Sequence, residues 1–166
     1  MMTSLKKYSF LVFIFCLFLS CERDDICPAA TPTTPFLIIE FFDVTAPDEN
    51  KSVQGLSYIA EGTADTVEMG NVDSIAIPLN TNLNTTRYKF IKNTNDPNLI
   101  NVDEVEFIYQ LDDIYINRSC GFKAVYRNLS AIRQIEDPPS DNWIRSVNLE
   151  QMNVENEQNT HISILH

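Results

Sequence analysis

Residues 104–111 read Glu-Val-Glu-Phe-Ile-Tyr-Gln-Leu, and this alternation decides the fold class. The apolar residues of one parity are Val105, Phe107, Tyr109 and Leu111. Glu or Gln takes three positions of the other parity. Successive side chains of a β-strand point to opposite faces, so the pattern predicts a strand with one apolar and one solvated face. Asp112-Asp113 follows directly and is predicted to form a tight turn.

Other short apolar runs extend this prediction along the chain. Phe36–Val44 is apolar on both parities, which predicts a strand that is buried on two sides. Further strands are predicted near residues 75–79, 88–90, 114–116, 120–126, 147–149 and 160–165, and residues 155–159 join the last two as a hairpin. Apolar residues three apart between Leu129 and Ile135 predict a short helical segment.

About eight short strands with turn signals between them predict an all-β protein. The expected architecture is an antiparallel β-sandwich, immunoglobulin-like or similar. We expect three segments in the chain. Residues 1–20 form a helical signal peptide, residues 21–35 an acidic and Pro/Thr-rich tether that begins with a lipidated cysteine, and residues 36–166 the β-sandwich domain.

The first 21 residues have the order of a bacterial lipoprotein signal. Lys6-Lys7 precedes an apolar run, Phe10–Leu19, that is too short for a membrane span of about 20 residues. Ser20-Cys21 then resembles the lipobox that signal peptidase II cleaves, although Phe18 replaces the usual Leu. We predict cleavage between Ser20 and Cys21 and a lipid anchor, including palmitate, on Cys21. A plain secretory signal and a one-span anchor are the alternatives.

Three acidic residues follow the predicted lipid site closely: Glu22, Asp24 and Asp25. They resemble the acidic signal that sends many Bacteroidota lipoproteins to the cell surface. A solvated tether has the same composition. The sequence therefore predicts an outer-membrane lipoprotein and leaves open whether the domain faces the cell surface or the periplasm.

The four cysteines are divided by the predicted cleavage. Cys16 leaves with the leader and Cys21 carries the lipid, so Cys27 and Cys120 remain as one pair in an oxidising compartment. We predict an intramolecular disulfide between them, with free or intermolecular thiols as the alternative. A zinc site built from these cysteines and a histidine lacks the usual ligand spacing.

The mature chain is strongly acidic. Removing the two leader lysines from the 12 basic residues leaves ten, against 23 acidic residues, for a formal charge of −13. Such a charge opposes binding to nucleic acid, and it opposes attraction to anionic lipid by charge alone. Cationic, neutral and metal-bridged partners stay open.

The sequence contains no recognisable catalytic constellation. Neither a Gly-x-Ser-x-Gly elbow nor a phosphate-binding glycine loop is present. Paired carboxylates serve glycoside hydrolysis, and two pairs qualify by residue type: Glu104 with Glu106, and Asp112 with Asp113. Their strand and turn positions predict solvated surface residues instead. No EF-hand spacing supports calcium binding at the aspartates.

The remaining candidates for chemistry are the histidines and three aromatic residues. His161 is predicted to lie on the surface, because the apolar residues that follow it are expected to face inward, and His166 is the last residue. Rings that can stack on sugars are Tyr58, Tyr115 and Trp143. Packing in the core or on a strand is the commoner role of such rings.

Five segments together resemble one protein family. They are Cys-Glu-Arg-Asp-Asp-Ile-Cys (21–27), Thr-Pro-Thr-Thr-Pro (31–35), Ser-Ile-Ala-Ile-Pro-Leu (74–79), Ser-Cys-Gly-Phe-Lys (119–123) and Trp-Ile (143–144). Over nearly the whole mature chain, the sequence resembles a family of small Bacteroidota lipoproteins grouped as a domain of unknown function. The resemblance implies the envelope location, the lipid and the cysteine pair. It implies no activity.

These observations predict a non-enzymatic, lipid-anchored binding or accessory module at the outer membrane, with no cofactor and no metal. Its expected partners are the membrane, through the lipid on Cys21, and an envelope protein or a glycan. Nucleic acid is not an expected partner. The alternatives are a carboxylate-dependent enzyme that acts on glycans and a purely structural envelope protein.

Overall fold

The computed structural model describes residues 26–135 and 141–166. These residues contain no α-helix and form ten β-strands, which confirms the predicted all-β class. The strands are β1 (Leu37–Asp43), β2 (Ala46–Asn50), β3 (Val53–Ala60), β4 (Thr66–Val72), β5 (Ser74–Ile77), β6 (Thr85–Lys92), β7 (Asn101–Asn117), β8 (Gly121–Arg133), β9 (Ser146–Leu149) and β10 (Ile162–Leu165). The predicted signal peptide lies outside the described residues.

The strands form two five-stranded sheets. In sheet A the order is β2-β1-β10-β9, and β5 also pairs with β1. β1 and β10 run parallel, with Ile39 beside Ile162, whereas the other pairs of sheet A are antiparallel. In sheet B the order is β4-β3-β6-β7-β8. This arrangement is consistent with the predicted β-sandwich.

One apolar core is shared by the two sheets. Its buried residues include Leu37, Ile39, Phe41, Ile75, Ile77, Tyr88, Phe90, Val105, Phe107, Tyr109, Tyr126, Leu129, Ile162 and Ile164. Buried tyrosines also need a partner for their hydroxyls. The Tyr88 hydroxyl donates to the carbonyl of Pro78 at 2.6 Å, and that of Tyr126 donates to Leu79 at 3.1 Å. The core therefore also anchors the segment that follows β5.

The chain divides into two compact units. The described part of the smaller unit comprises residues 26–31 and Tyr115–Phe122, and we call it the disulfide unit. The larger unit comprises the described residues of Pro32–Ile114 and Lys123–His166, and we call it the β body. All core residues named above belong to the β body.

Two of the predicted local structures are wrong. Asp112-Asp113 is not a turn, because β7 continues to Asn117 and the turn follows at residues 118–120. The Asn117 carboxamide oxygen accepts a hydrogen bond from the Cys120 backbone N–H at 2.8 Å and so closes this turn. Residues 129–133 are strand and not helix. Leu129 donates its backbone N–H to Met152 at 2.8 Å, a pairing between distant residues that local periodicity cannot show.

Candidate functional site

An open cleft lies on the outer face of sheet A. Since β1 turns its odd-numbered residues 37–41 into the core, it presents Glu40 and Phe42 on the other face. The parallel register sets Glu40 beside Ser163 and Phe42 beside Leu165 on β10. Together with β2 and the end of β9, these side chains line a cleft of about 570 Å³. The pairing of β1 with β10 thus creates the site.

The lining of this cleft is acidic. Its residues are Glu40, Phe42, Pro47, Asp48, Asn148, Glu150, Gln151, Thr160, Ser163 and Leu165, with no Lys or Arg among them. The Ser163 hydroxyl donates to Glu150 Oε1 at 2.5 Å, which orients that carboxylate. Carboxylates and amides therefore stand beside apolar side chains. Such a surface accepts hydrogen bonds from a ligand and packs against its apolar parts.

A second hollow of the β body, of about 490 Å³, contains basic residues. Lys51 Nζ lies 3.3 Å from Asp43 Oδ2, and Lys92 Nζ lies 5.7 Å from the centre of the Trp143 ring. Hydrogen bonds from the backbone N–H and hydroxyl of Thr45 lower the pKa of Asp43 to about 2. Burial lowers the pKa of Lys92, and the charge of Lys51 adds to this effect. Both lysines already interact with protein groups, so the acidic cleft is the stronger candidate for a ligand.

The prediction that His161 lies on the surface is wrong, since its side chain is 1% exposed. Its Nδ1 accepts the backbone N–H of Ile38 at 3.0 Å, and its own backbone N–H donates to the Ile38 carbonyl at 3.0 Å. The ring therefore extends the β1–β10 ladder by replacing a main-chain acceptor. Burial lowers the pKa of His161, so the ring is neutral in this structural role.

His166 is also buried, and it packs edge-on against the Trp143 ring with 5.7 Å between centres. Its Nε2 lies 3.1 Å from the Lys51 carbonyl, and its Nδ1 has no hydrogen-bond partner among the described residues. Burial lowers the pKa of His166 as well. Neither histidine lines the acidic cleft.

A buried carboxylate on β7 was not singled out by the sequence reading. Asp103 is fully buried and accepts hydrogen bonds from the Ile144 backbone N–H at 2.6 Å and from Asn142 Nδ2 at 3.0 Å. Burial raises the pKa of Asp103, and these hydrogen bonds oppose the shift. Trp143 lies between Asn142 and Ile144 in the chain, and it donates its ring N–H to the Phe90 carbonyl at 3.2 Å. The sequence does contain a signal for this burial, because Asp103 has the same odd-numbered parity as the apolar residues Val105 and Phe107.

The predicted carboxylate pairs do not face each other. Glu104 and Glu106 lie on one face of β7, and Glu106 Oε1 is 3.0 Å from Arg87 Nη2. Asp112 and Asp113 are exposed neighbours in the same strand and so point to opposite faces. Asp112 Oδ2 lies 3.4 Å from Arg127 Nε. Asp112 and Asp113 are exposed as predicted, whereas Glu104 and Glu106 are half-buried, with 16% of the Glu106 side chain exposed.

The three candidate aromatic residues differ in exposure. Tyr58 is half-buried and packs edge-on against Tyr88, with 5.4 Å between ring centres. Trp143 is 6% exposed. Tyr115 alone of the three is exposed, and it lies against Phe122 in the disulfide unit with 5.3 Å between ring centres. None of them lines the acidic cleft.

The structure contains the disulfide predicted between Cys27 and Cys120, with an S–S distance of 2.04 Å. The bond lies within the disulfide unit. The predicted cleavage site Ser20-Cys21 and the acidic residues Glu22, Asp24 and Asp25 lie outside the described residues. Lipidation and surface export therefore stay predictions.

The chain was predicted to hold no metal site, and within residues 26–135 and 141–166 no cluster of three or more His, Cys, Asp or Glu side chains is arranged to hold a metal ion. The same residues include no helix with the length and apolar character needed to cross a bilayer.

Comparison with known proteins gives one result. Residues 52–166 match the model of a Family of unknown function (DUF6452). This range contains three of the segments that carry the predicted resemblance, 74–79, 119–123 and 143–144, whereas 21–27 and 31–35 precede it. No curated protein and no solved structure matches the chain. The match establishes a family without an activity, and it includes neither the lipid site nor a bacterial source.

Proposed function

Since the chain belongs to the DUF6452 family, whose function is unknown, we propose from its own residues that it is a lipid-anchored, non-enzymatic binding module of the bacterial outer membrane. The proposal has two parts, which rest on different regions. Ser20-Cys21 supports the anchor, and the acidic cleft of sheet A supports ligand binding. The cleft is the observation that carries the binding function.

The anchor predicts a specific modification. Metabolic labelling with a fatty-acid analogue marks the wild-type protein and leaves Cys21→Ala unlabelled. External protease on intact cells then tests whether the acidic residues Glu22, Asp24 and Asp25 direct the protein to the cell surface. Equal labelling of wild type and Cys21→Ala contradicts the anchor. Protection in intact cells combined with cleavage after lysis assigns the domain to the periplasm.

The ligand class follows from the charge of the cleft. Glu40, Asp48 and Glu150 offer charged acceptors, which form stronger hydrogen bonds to hydroxyl or amino donors than neutral groups do. Phe42 and Leu165 offer apolar surface beside them. A neutral or amino-bearing glycan combines donors with apolar C–H faces. An anionic glycan meets three carboxylates without a cation to compensate them, and we expect it to be rejected.

The enzymatic alternative requires two carboxyls that flank a scissile bond. Of the pairs named by the sequence, Asp112 and Asp113 point to opposite faces of β7, and Glu106 is already paired with Arg87, with 3.0 Å between Oε1 and Nη2. Within the cleft, Glu150 is bonded to Ser163. These contacts favour recognition over hydrolysis.

Titration of the full-length lipoprotein in detergent with neutral, amino-bearing and anionic oligosaccharides tests the binding function. Glu40→Gln replaces a charged acceptor by a neutral one, and we expect about tenfold weaker binding, since a hydrogen bond to a charged group is worth about 1–1.5 kcal/mol more than a neutral one. Glu68→Gln, on the exposed strand β4, is the matched control and leaves affinity unchanged. Equal loss in both variants, or tightest binding of the anionic sugars, contradicts the assignment. Release of cleaved sugar contradicts the non-enzymatic part.

A further inference from the structure

Bulky apolar side chains surround the disulfide and face solvent. Phe122 is 67% exposed and Tyr115 58% exposed, and their rings pack against each other at 5.3 Å between centres. Ile26, beside Cys27, is 80% exposed. Pro28, Ala29 and Ala30 follow on the same exposed segment. An apolar surface of this kind on a soluble unit marks a contact with another phase or another molecule.

The charge of the disulfide unit differs sharply from that of the rest of the protein. Its described residues contain no Asp or Glu, and Arg118 is their one charged side chain. Residues 32–114 and 123–166 carry 20 acidic and eight basic side chains. A bacterial membrane surface is anionic, so it repels the β body at close range. The described residues of the disulfide unit add no carboxylate to that repulsion, and the nearest ones are Glu22, Asp24 and Asp25, which precede Ile26 in the sequence.

Covalent connections bring this unit to the membrane. The disulfide joins Cys27 to Cys120, which is two residues from Phe122. A lipid on Cys21 is separated from Cys27 by residues 22–26, a reach of about 20 Å when fully extended. The length of chain between the anchor and the disulfide unit therefore keeps the exposed rings within reach of the lipid headgroups.

We propose that the disulfide unit inserts Tyr115, Phe122 and Ile26 into the interfacial layer of the membrane that holds the lipid anchor. This proposal rests on the lipidation of Cys21 proposed above. Aromatic side chains favour the boundary between headgroups and acyl chains, because they pair an apolar ring with a polar or quadrupolar edge. Arg118 adds a cation that faces anionic headgroups. The lipid then limits how far the disulfide unit can lie from the membrane, and the inserted side chains determine which face of that unit meets the membrane.

Quenching by brominated lipid tests the contact directly. Full-length lipidated Phe122→Trp is reconstituted into phosphatidylethanolamine–phosphatidylglycerol vesicles, with or without bromine on the acyl chains. The control is Leu99→Trp, at a β-body position that is 60% exposed and so matches Phe122. The native Trp143 is buried and contributes the same background to both variants. Tyr115→Trp provides a second reporter if Phe122→Trp disturbs folding.

We expect emission of Phe122→Trp and Tyr115→Trp to shift to the blue and to fall in brominated vesicles, while Leu99→Trp is unchanged. Vesicle flotation and intact mass report the lipid anchor in the same samples. Lipidated protein that floats but shows no more quenching in the reporters than in Leu99→Trp overturns the membrane contact alone, and assigns the rings to a protein partner. Protein that carries no lipid and fails to float overturns the anchor, and this proposal with it.

Discussion

Phenylalanine has opposite surroundings in the two units of this protein. Phe107 of the β body is fully buried between the sheets, whereas Phe122 of the disulfide unit is 67% exposed. The β body gains its stability from apolar burial, while a covalent bond constrains the disulfide unit. A unit held by a covalent bond has no need to bury its apolar side chains, which leaves them available for contact with another surface.

Removal of the disulfide should have the largest effect. Cys27 and Cys120 are 93 residues apart, and the chain-entropy model gives a stabilisation of about 4–5 kcal/mol for a loop of this size, as an upper figure. Cys27→Ser/Cys120→Ser should therefore unfold at clearly lower denaturant concentration. Reduced wild-type protein is the control, and it should unfold at the same lowered denaturant concentration as the double variant. Unchanged midpoints would show that the β body is independent of the bond. Mass spectrometry of a non-reduced digest should yield a Cys27–Cys120 cross-linked peptide.

Truncation of Phe107 and Phe122 tests whether the β body depends on apolar burial and the disulfide unit does not. Phe107→Ala should lower the free energy of unfolding by about 3–5 kcal/mol, because it removes a buried ring and leaves a cavity. Phe122→Ala should change it by less than about 0.5 kcal/mol, as is usual for exposed positions. Urea unfolding of both variants measures the difference. Similar losses would mean that the disulfide unit has a packed interior of its own.

The buried carboxylate of β7 should matter less than the core ring on the same strand. Asp103→Ala leaves the Ile144 backbone N–H without its acceptor, which should cost about 1–3 kcal/mol. Asp113→Ala, at an exposed position of the same strand, should stay within about 0.5 kcal/mol of wild type. If Asp103→Ala lowers the free energy of unfolding no more than Asp113→Ala does, the hydrogen bonds of Asp103 do not stabilise the β body.

The smallest effect should be a change in pH dependence. Burial holds the pKa of folded His161 below its usual value of 6.5, so the unfolded chain takes up a proton more readily. The stability from neutral His161 is complete above that value and is lost as pH falls through 6.5 toward the lower folded pKa. His161→Gln should flatten the decline in unfolding free energy between pH 7 and pH 5. An unchanged slope would assign the decline to other groups, with His166→Gln as the next variant.

The strands with clean alternation were predictable because one face is buried and the other wet. β5 and the first half of β7 follow that pattern. β9 and β10 were also predicted from apolar residues of one parity, although three of the four residues of β10 are buried. β2, β3 and β4 were missed. Nearly all residues of β2 and β4 are exposed at the edge of a sheet, so no apolar periodicity results. In β3, register shifts on both sides of Leu56 interrupt the alternation of buried and exposed residues. Asp112-Asp113 was mistaken for a turn between two strands, because the pair has turn composition although β7 continues through it to Asn117.

The disulfide was predictable by elimination, since the predicted signal cleavage and lipidation leave two cysteines. The acidic cleft was not predictable from the sequence, because it depends on the register between two strands that are distant in the chain. Glu40 meets Ser163 through the parallel pairing of β1 with β10, and no local pattern specifies that pairing. His161 was misplaced for the same reason, as its role exists only beside Ile38.

The parallel pairing of β1 with β10 also determines when the protein can fold. Ile38 and His161, which begin this ladder, are 123 residues apart in the chain. Sheet A therefore stays incomplete during synthesis until nearly all the sequence has emerged, and such non-local pairing makes folding slow. Until then the apolar strand β1 lacks its neighbour and is a target for aggregation. A holding chaperone that binds residues 37–43 would protect the chain over that interval.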